Sequence, residues 1–388
     1  MEKELEELSR LVGRLAHELG YRAYLVGGPV RDLLLSRESW DADYAVEGNA
    51  LKLAERLSKE LGVELHPFEP FMTAHLKVGK LKVELATARR EHYERPGAYP
   101  RVEPATLNED LKRRDFTVNA MALSVNPDDY GRLIDPLKGR EDLRKGLLRV
   151  LKPGSFKEDP VRMLRALRFA ARFNFKLEPF TERELLSASR EGYLKLAPRP
   201  RLLNELKLAL REENAPLVLE LYQRYGLLGQ LLGVDFNEEL YRVKEAMPLV
   251  RRLLPEGQEG WLYLVFLLKS APDAALLKEM GAPAWAAEAH RFLKEEFGPL
   301  SERLKAARDA GSIYELLRPL RPHQLALLAP FYVPKVELFL EKLRPFKLPP
   351  EELERLKRSG LKGRELGRAV EERKKELLTE LFKDLKFK

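Results

Sequence analysis

The sequence predicts an α/β head followed by an all-α neck, body and tail. Two observations carry this. Before about residue 150, short runs of strand character alternate with helical stretches. After Pro160, leucine and arginine recur at helical spacing to the end, broken near Pro198–Pro200, Pro255, Pro283, Pro334 and Pro349, with no strand signal of comparable strength.

Taken in order, Leu5–Leu19 has the periodicity of an amphipathic helix, not the pattern of a signal peptide. Ala23–Val26 reads as a short strand entering Gly27-Gly28, and Val30–Leu35 as the start of a helix. Asp41–Val46 is strand-like, Ala50–Leu61 helical, and Val63–His66, Ala74–Val78 and Lys82–Ala86 are short strands. The run EHYERPGAYPRVEP, Glu91–Pro104, is rich in Pro, Gly and Tyr and is expected to be an irregular loop. Phe116–Val125 is a further candidate strand. No fixed-period repeat or low-complexity tract is visible.

Composition narrows the classes. The 388 residues suffice for two or more domains, and 44% apolar content allows a real core. A charged content of 34% points to heat adaptation. The absence of cysteine excludes disulfides, zinc thiolates and cysteine nucleophiles. No apolar run reaches the roughly 18 residues of a membrane span, so a cytoplasmic chain with no membrane partner is expected. A net charge of +8 favours an anionic partner, of which nucleic acid is the commonest.

Three stretches carry chemistry. In YLVGGPVRDLLLSRESWDADYAVEG, Asp41 and Asp43 stand at i and i+2, which places both on one face of a strand. Two such carboxylates suit a hard cation, Mg²⁺, and phosphoryl transfer needs a cation that touches triphosphate and attacking oxygen together. Glu84, in KVELAT, is a third carboxylate on a neighbouring candidate strand. Gly27 and Gly28 would let backbone N–H groups approach phosphate, with Arg31 as a further donor. In EDLKRRDFTVNAMAL, Arg114 can pair with phosphate, and Asp115 and Asn119 can bond a ribose hydroxyl. In EDPVRMLRALRFAARF, Asp159 and Pro160 are a good helix start, and Arg162, Arg165, Arg168 and Arg172 fall within about a third of the circumference. Read alone, that stripe is a solvated basic face.

Together the stretches resemble the ordered motifs of the class II tRNA nucleotidyltransferases, the CCA-adding enzymes and their bacterial poly(A) polymerase relatives. The resemblance covers roughly residues 20–215 specifically and the rest loosely. It implies a polymerase-beta-like nucleotidyltransferase head over 1–150, a mixed sheet with helices. A helical neck over 151–215 would carry a protein template for the base, and a helical body and tail over 216–388 would bind tRNA. It implies Asp41 and Asp43 as metal ligands and, with Glu84, as catalytic residues. Gly27, Gly28, Arg31, Arg114, Asp115, Asn119, Asp159, Arg162, Arg165 and Arg168 would bind the nucleotide. Asp159 and Arg162 match the amino donor and ring-nitrogen acceptor that cytosine and adenine share, and mismatch uracil and guanine. Arg165 and Arg168 would neutralise phosphates, while Arg201 and Glu205 would brace the neck. SGLKGRELGRAVEERKKELL is similar to the family's tail, where phosphate contacts and a plain solvated helix are both open.

The implied activity is building or repair of the 3′-terminal CCA of tRNA without a nucleic-acid template. The substrate is ATP, with CTP left open, and the compact A-adding branch is nearest. Full CCA addition, poly(A) synthesis and non-catalytic RNA binding are the alternatives. None of the six histidines precedes an aspartate, so no His-Asp phosphohydrolase dyad is visible.

Overall fold

The computed structural model describes residues 3–385. The chain divides into two compact units. The first holds the chain up to Leu206 together with Arg224–Leu231, and the second holds Lys207–Gln223 and the chain from Leu232 on.

The first unit opens with helix α1, Lys3–Glu18, which buries Leu5, Leu8, Val12, Leu15 and Ala16 along one stripe. This is the apolar spacing of its sequence made physical. Strand β1, Arg22–Val26, leads into α2, Gly28–Leu34. Strand β2 is Asp41–Glu47 and helix α3 Ala50–Leu61, capped by the Asn49 side chain on Lys52 N–H. Then come β3, Leu65–Phe68; β4, Thr73–Val78; and β5, Leu81–Thr87. The third strand lies two residues later than its sequence pattern predicts.

The expected irregular segment Glu91–Pro104 is irregular over its middle, 93–100, and strand at both ends. Strands β6, Arg89–His92, and β7, Arg101–Pro104, pair antiparallel, leaving only 93–100 between them. Charge hides the strand pattern here: Arg90 faces Glu103 and their side chains pair at 3.0 Å, so alternation of apolar and polar residues never appears. Helix α4, Leu107–Lys112, follows, closed by a Thr106–Glu109 capping box.

The candidate strand Phe116–Val125 is largely something else. Thr117–Asn119 forms a 3₁₀ turn, and only Ala122–Ser124, β8, is strand. The Asp115 carboxylate accepts from Phe116 N–H and Thr117 donates to Asp142, so local side-chain bonds hold a turn where apolar content suggested extension. Strand β9 is Leu133–Ile134.

Seven strands make one mixed sheet in the order β3-β4-β5-β2-β1-β8-β9, with β2 and β5 parallel and the other neighbours antiparallel. Tyr44 points to the side of α1, where its hydroxyl meets Ser9 at 2.8 Å. Tyr24, Val26 and Ala45 point the other way and pack with Leu107 and Leu111 of α4. Asp43, two residues before Ala45, shares that second face.

The first unit continues through α5, Gly139–Lys145, and α6, Ser155–Glu158, to α7, Val161–Phe173; α8, Pro179–Arg190; and α9, Arg199–Leu210, whose residues from Lys207 on belong to the second unit. The α7 start is as predicted in chemistry: Asp159 is extended, Pro160 is already helical, and Asp159 Oδ1 accepts from Val161 N–H at 3.3 Å. Among the described residues, the one strand pairing that involves the chain after residue 150 is a two-residue parallel pair, Leu147–Leu148 with Lys176–Leu177.

In the second unit the regular elements among the described residues are helices, including Gly260–Leu267, buried on almost all sides, and the exposed tail helices Pro350–Arg358 and Gly363–Leu381. No described helix is long and apolar enough to cross a membrane.

Candidate active site

The site begins where β1 ends. Gly27 has φ 71° and ψ −128°, a backbone setting that an L side chain rarely adopts. A Cβ there would also come within 2.8 Å of Arg114 Nη1. The glycine thus makes the turn and admits a guanidinium from the second motif. Gly28 opens α2.

Asp41 is exposed and Asp43 half-buried on β2. Across the parallel pair, Asp43 stands opposite Glu84 on β5, and Glu84 stands opposite His75 on β4. The His75 ring nitrogen lies 3.7 Å from the Glu84 carboxylate. Three carboxylates therefore share one strip of sheet, beside an open cleft of about 660 Å³. The Asp43 carboxyl is pushed up to about 7, by burial first and then by repulsion from Glu84 and Asp41, with Arg114 and Arg31 pulling the other way. That is the electrostatic state of a site short of positive charge. Among the described residues, no three histidine or acidic side chains converge tightly enough to enclose an ion. Asp41 and Asp43 fit a divalent cation in a different manner: two hard oxygen donors with the remaining positions left to substrate oxygens and water.

The second motif is held from below by Asp110, a residue the sequence reading did not single out. It is buried, and its carboxylate accepts from Arg114 Nη2 and Arg113 Nη2, both at 2.8 Å, and from Arg89 N–H at 3.2 Å. Its i, i+4 spacing to Arg114 was the available signal. Arg114 Nε is buried with no partner among the described residues, a donor left over.

Arg31 stands differently from its expected reach toward phosphate. It is buried; Nη1 donates to Asn119 Oδ1 at 2.6 Å, Nε to Asp32 at 2.9 Å, and the guanidinium lies 4.5 Å from the Phe173 ring centre. Asn119 in turn donates to Asp115 Oδ1 at 3.0 Å, and Arg165 donates to Asp115 Oδ2 at 2.8 Å. Burial opposes the charge on Asp115, yet Arg165 and Asn119 hold its carboxyl down to about 2.

Helix α7 is no solvated basic stripe. Arg162 is buried and donates to Ser155 Oγ and the Arg113 carbonyl, both at 2.8 Å. Arg168 is buried and donates to Glu205 at 2.5 Å. Arg165, more exposed, also lies 3.9 Å from Glu205. Asp159 is buried, with Arg162 Nε at 3.9 Å and Arg201 Nη2 donating at 2.8 Å. Thus Glu205 does brace α7, but Arg201 reaches Asp159 itself. Asp41, Asp43 and Glu84 form one group; Gly27, Arg31, Arg114, Asp115, Asn119 and Arg165 form a second, linked group; Asp159, Arg162 and Arg201 form a third.

A family model described as the poly A polymerase head domain matches residues 23–149. An A-adding tRNA nucleotidyltransferase of Aquifex aeolicus is 51% identical over 372 residues, 93% of this chain and 45% of that protein. A CC-adding tRNA nucleotidyltransferase of Deinococcus radiodurans is 37% identical over 257 residues, 66% of this chain and 65% of that protein. The chain spans between 31% and 55% of the length of the first three curated relatives, all A-adding enzymes. Among solved structures, a tRNA nucleotidyltransferase complexed with a primer tRNA and an incoming ATP analog is similar at a TM-score of 0.76 and 48% identity. That match covers 87% of this chain and 100% of that one. With its matched head, its helical remainder and relatives at these identities, the chain belongs to the tRNA nucleotidyltransferase family with a poly A polymerase head.

Proposed function

We propose that this chain transfers the adenylyl group of ATP to the 3′ end of a tRNA ending in CC, without a nucleic-acid template. The observation that carries the chemistry is Asp43, crowded between Asp41 and Glu84 on an open strip of sheet. The preference for A over CC addition is supported by the hairpin Arg89–Pro104, which spans the loop that the resemblance associates with the switch to A addition, and by the A-adding tRNA nucleotidyltransferases among the relatives.

In this reading Asp41 and Asp43 would hold Mg²⁺, whose charge would neutralise the triphosphate and favour ionisation of the attacking hydroxyl. The primer O3′ bonds to the α-phosphorus as the bond to the pyrophosphate oxygen breaks. The hydroxyl proton passes to Glu84, the carboxylate of the strip that is not assigned to the cation. Arg114, with its unpaired Nε, meets phosphate. Asp115 and Asn119 face the ribose. Arg31 acts from behind, fixing Asn119. Asp159 and Arg162 select the base. Residues 1–150 act as catalytic head and 151–215 as neck, and 216–388 take the tRNA, with the basic tail helices on its backbone.

The test uses tRNA primers ending at the discriminator base, at C and at CC, each with CTP, ATP or both. One adenosine on the CC primer, and nothing on the others, is the expected result. Efficient CTP incorporation on the shortest primer would convert the reading to full CCA addition. Long A tails would convert it to poly(A) synthesis.

A further inference from the structure

The Asp159 carboxylate has two guanidinium neighbours, not one. Arg162 Nε stands 3.9 Å from Oδ2, and Arg201 Nη2 donates to the same oxygen at 2.8 Å. Arg201 Nη1 is buried and has no hydrogen-bond partner among the described residues. The Tyr99 ring, 57% exposed, lies with its centre 6.0 Å from the Arg201 guanidinium carbon. A buried donor left unmade is costly, so an orphan beside a recognition group marks the place of an arriving acceptor.

Adenine and cytosine, which both present an amino donor beside a ring acceptor on the Watson–Crick edge, differ in what lies on the amino group's other side. Adenine carries N1 on one side and N7 on the other, both acceptors. Cytosine carries N3 on one side and a C5–H on the other. One carboxylate with one guanidinium serves both bases equally. A carboxylate with a guanidinium to each neighbour is complementary to adenine alone.

We propose that Arg201 is a specificity-determining residue, which orients Asp159 through Nη2 and donates through Nη1 to N7 of an incoming adenine. This rests on the reading that Asp159 and Arg162 face the base. It assigns the choice of A over C to α9, while the choice of A and C over G and U stays with α7.

Atom-edited nucleotides test it. ATP, 7-deaza-ATP (N7 replaced by C–H) and 1-deaza-ATP (N1 replaced by C–H) are compared for incorporation on a CC-ending tRNA. Their dissociation constants by titration calorimetry give the same contrast without depending on which primer is extended. The wild type is expected to lose about tenfold or more on 7-deaza-ATP, the scale of one charge-assisted hydrogen bond. In Arg201→Met, ATP is expected to fall to the level of 7-deaza-ATP, with the two then within about twofold of each other. Equal use of ATP and 7-deaza-ATP by the wild type would overturn the proposal, and that arm needs no variant to fold. A 7-deaza penalty that persists in Arg201→Met would overturn it too. The 1-deaza arm separates the two layers. A penalty for 1-deaza-ATP without one for 7-deaza-ATP removes Arg201 and keeps Asp159 and Arg162. No penalty for either removes both.

Discussion

Asp43 illustrates how burial and like-charged neighbours set the protonation of a single residue. With its carboxyl at about 7, it is only partly charged at neutral pH. In the proposed reading, removing either of the paired acids would delete a cation ligand, at a cost of several kcal/mol of transition-state stabilisation. Asp41→Ala is therefore expected to lower single-nucleotide incorporation by at least about 1,000-fold. It should leave tRNA binding, measured by filter retention, within about twofold, because no tRNA contact is assigned to that side chain. Asp115 is the opposite case. Its carboxyl is near 2 when folded, against 3.8 in an ordinary setting, so it contributes stability that is present above the ordinary value. That contribution is lost as pH falls through about 2. The stability gap between wild type and Asp115→Asn, from urea unfolding, is expected to shrink by about 2 kcal/mol between roughly pH 5 and pH 2.

At the scale of elements, local pattern told most of the story where one face of an element is apolar. Helix α3 begins and ends where its periodicity does, because Leu53, Ala54 and Leu57 are fully buried on one side. Pattern failed where partners are distant in sequence. Nothing near Arg90 announces Glu103, and nothing near Arg201 announces Asp159, 42 residues away. The motifs were legible as strings, but the burial of Arg31, Arg162 and Arg168 was not, since arginine is nearly always read as exposed. The hairpin offers an element-scale prediction. Its tip is held by Gly97, at φ 73°, whose N–H donates to the Glu158 carbonyl at 3.1 Å. A Cβ there would collide with the Leu196 carbonyl. Gly97→Ala combines backbone strain with that clash, at about 1–3 kcal/mol. A glutamyl endopeptidase should cut after Glu94, exposed at the tip, several-fold faster in the variant, and A incorporation should fall with it. An unchanged cleavage rate would show that the tip is not held there.

At the scale of the whole molecule, the chain leaves the first unit at Leu206 and returns to it at Arg224–Leu231. The returning segment is bonded in: Tyr225 donates its hydroxyl to Glu182 at 2.5 Å, its carbonyl accepts from Ser189, and Gln230 donates to the Ser189 carbonyl. A fragment ending at residue 215, the end of the neck as read from sequence, leaves these groups of α8 unpaired. A fragment ending at residue 231 keeps them. The longer fragment is expected to melt several degrees higher in calorimetry. Equal melting temperatures would mean that the segment contributes nothing to the first unit.

The run of groups from Asp32 through Arg31, Asn119, Asp115, Arg165 and Glu205 to Arg168 has a consequence for how this sequence can drift. Charge alternates along most of it, and each inner member is shared between two neighbours. A single conservative change strands a charge in the interior, so neutral wandering one step at a time is closed at these positions. Escape needs two changes at once. Asp115→Asn combined with Arg165→Gln should be less damaging than the sum of the two alone, by about 1–3 kcal/mol in urea unfolding. Descendants of this chain would then inherit the run as a unit, kept whole or exchanged in pairs.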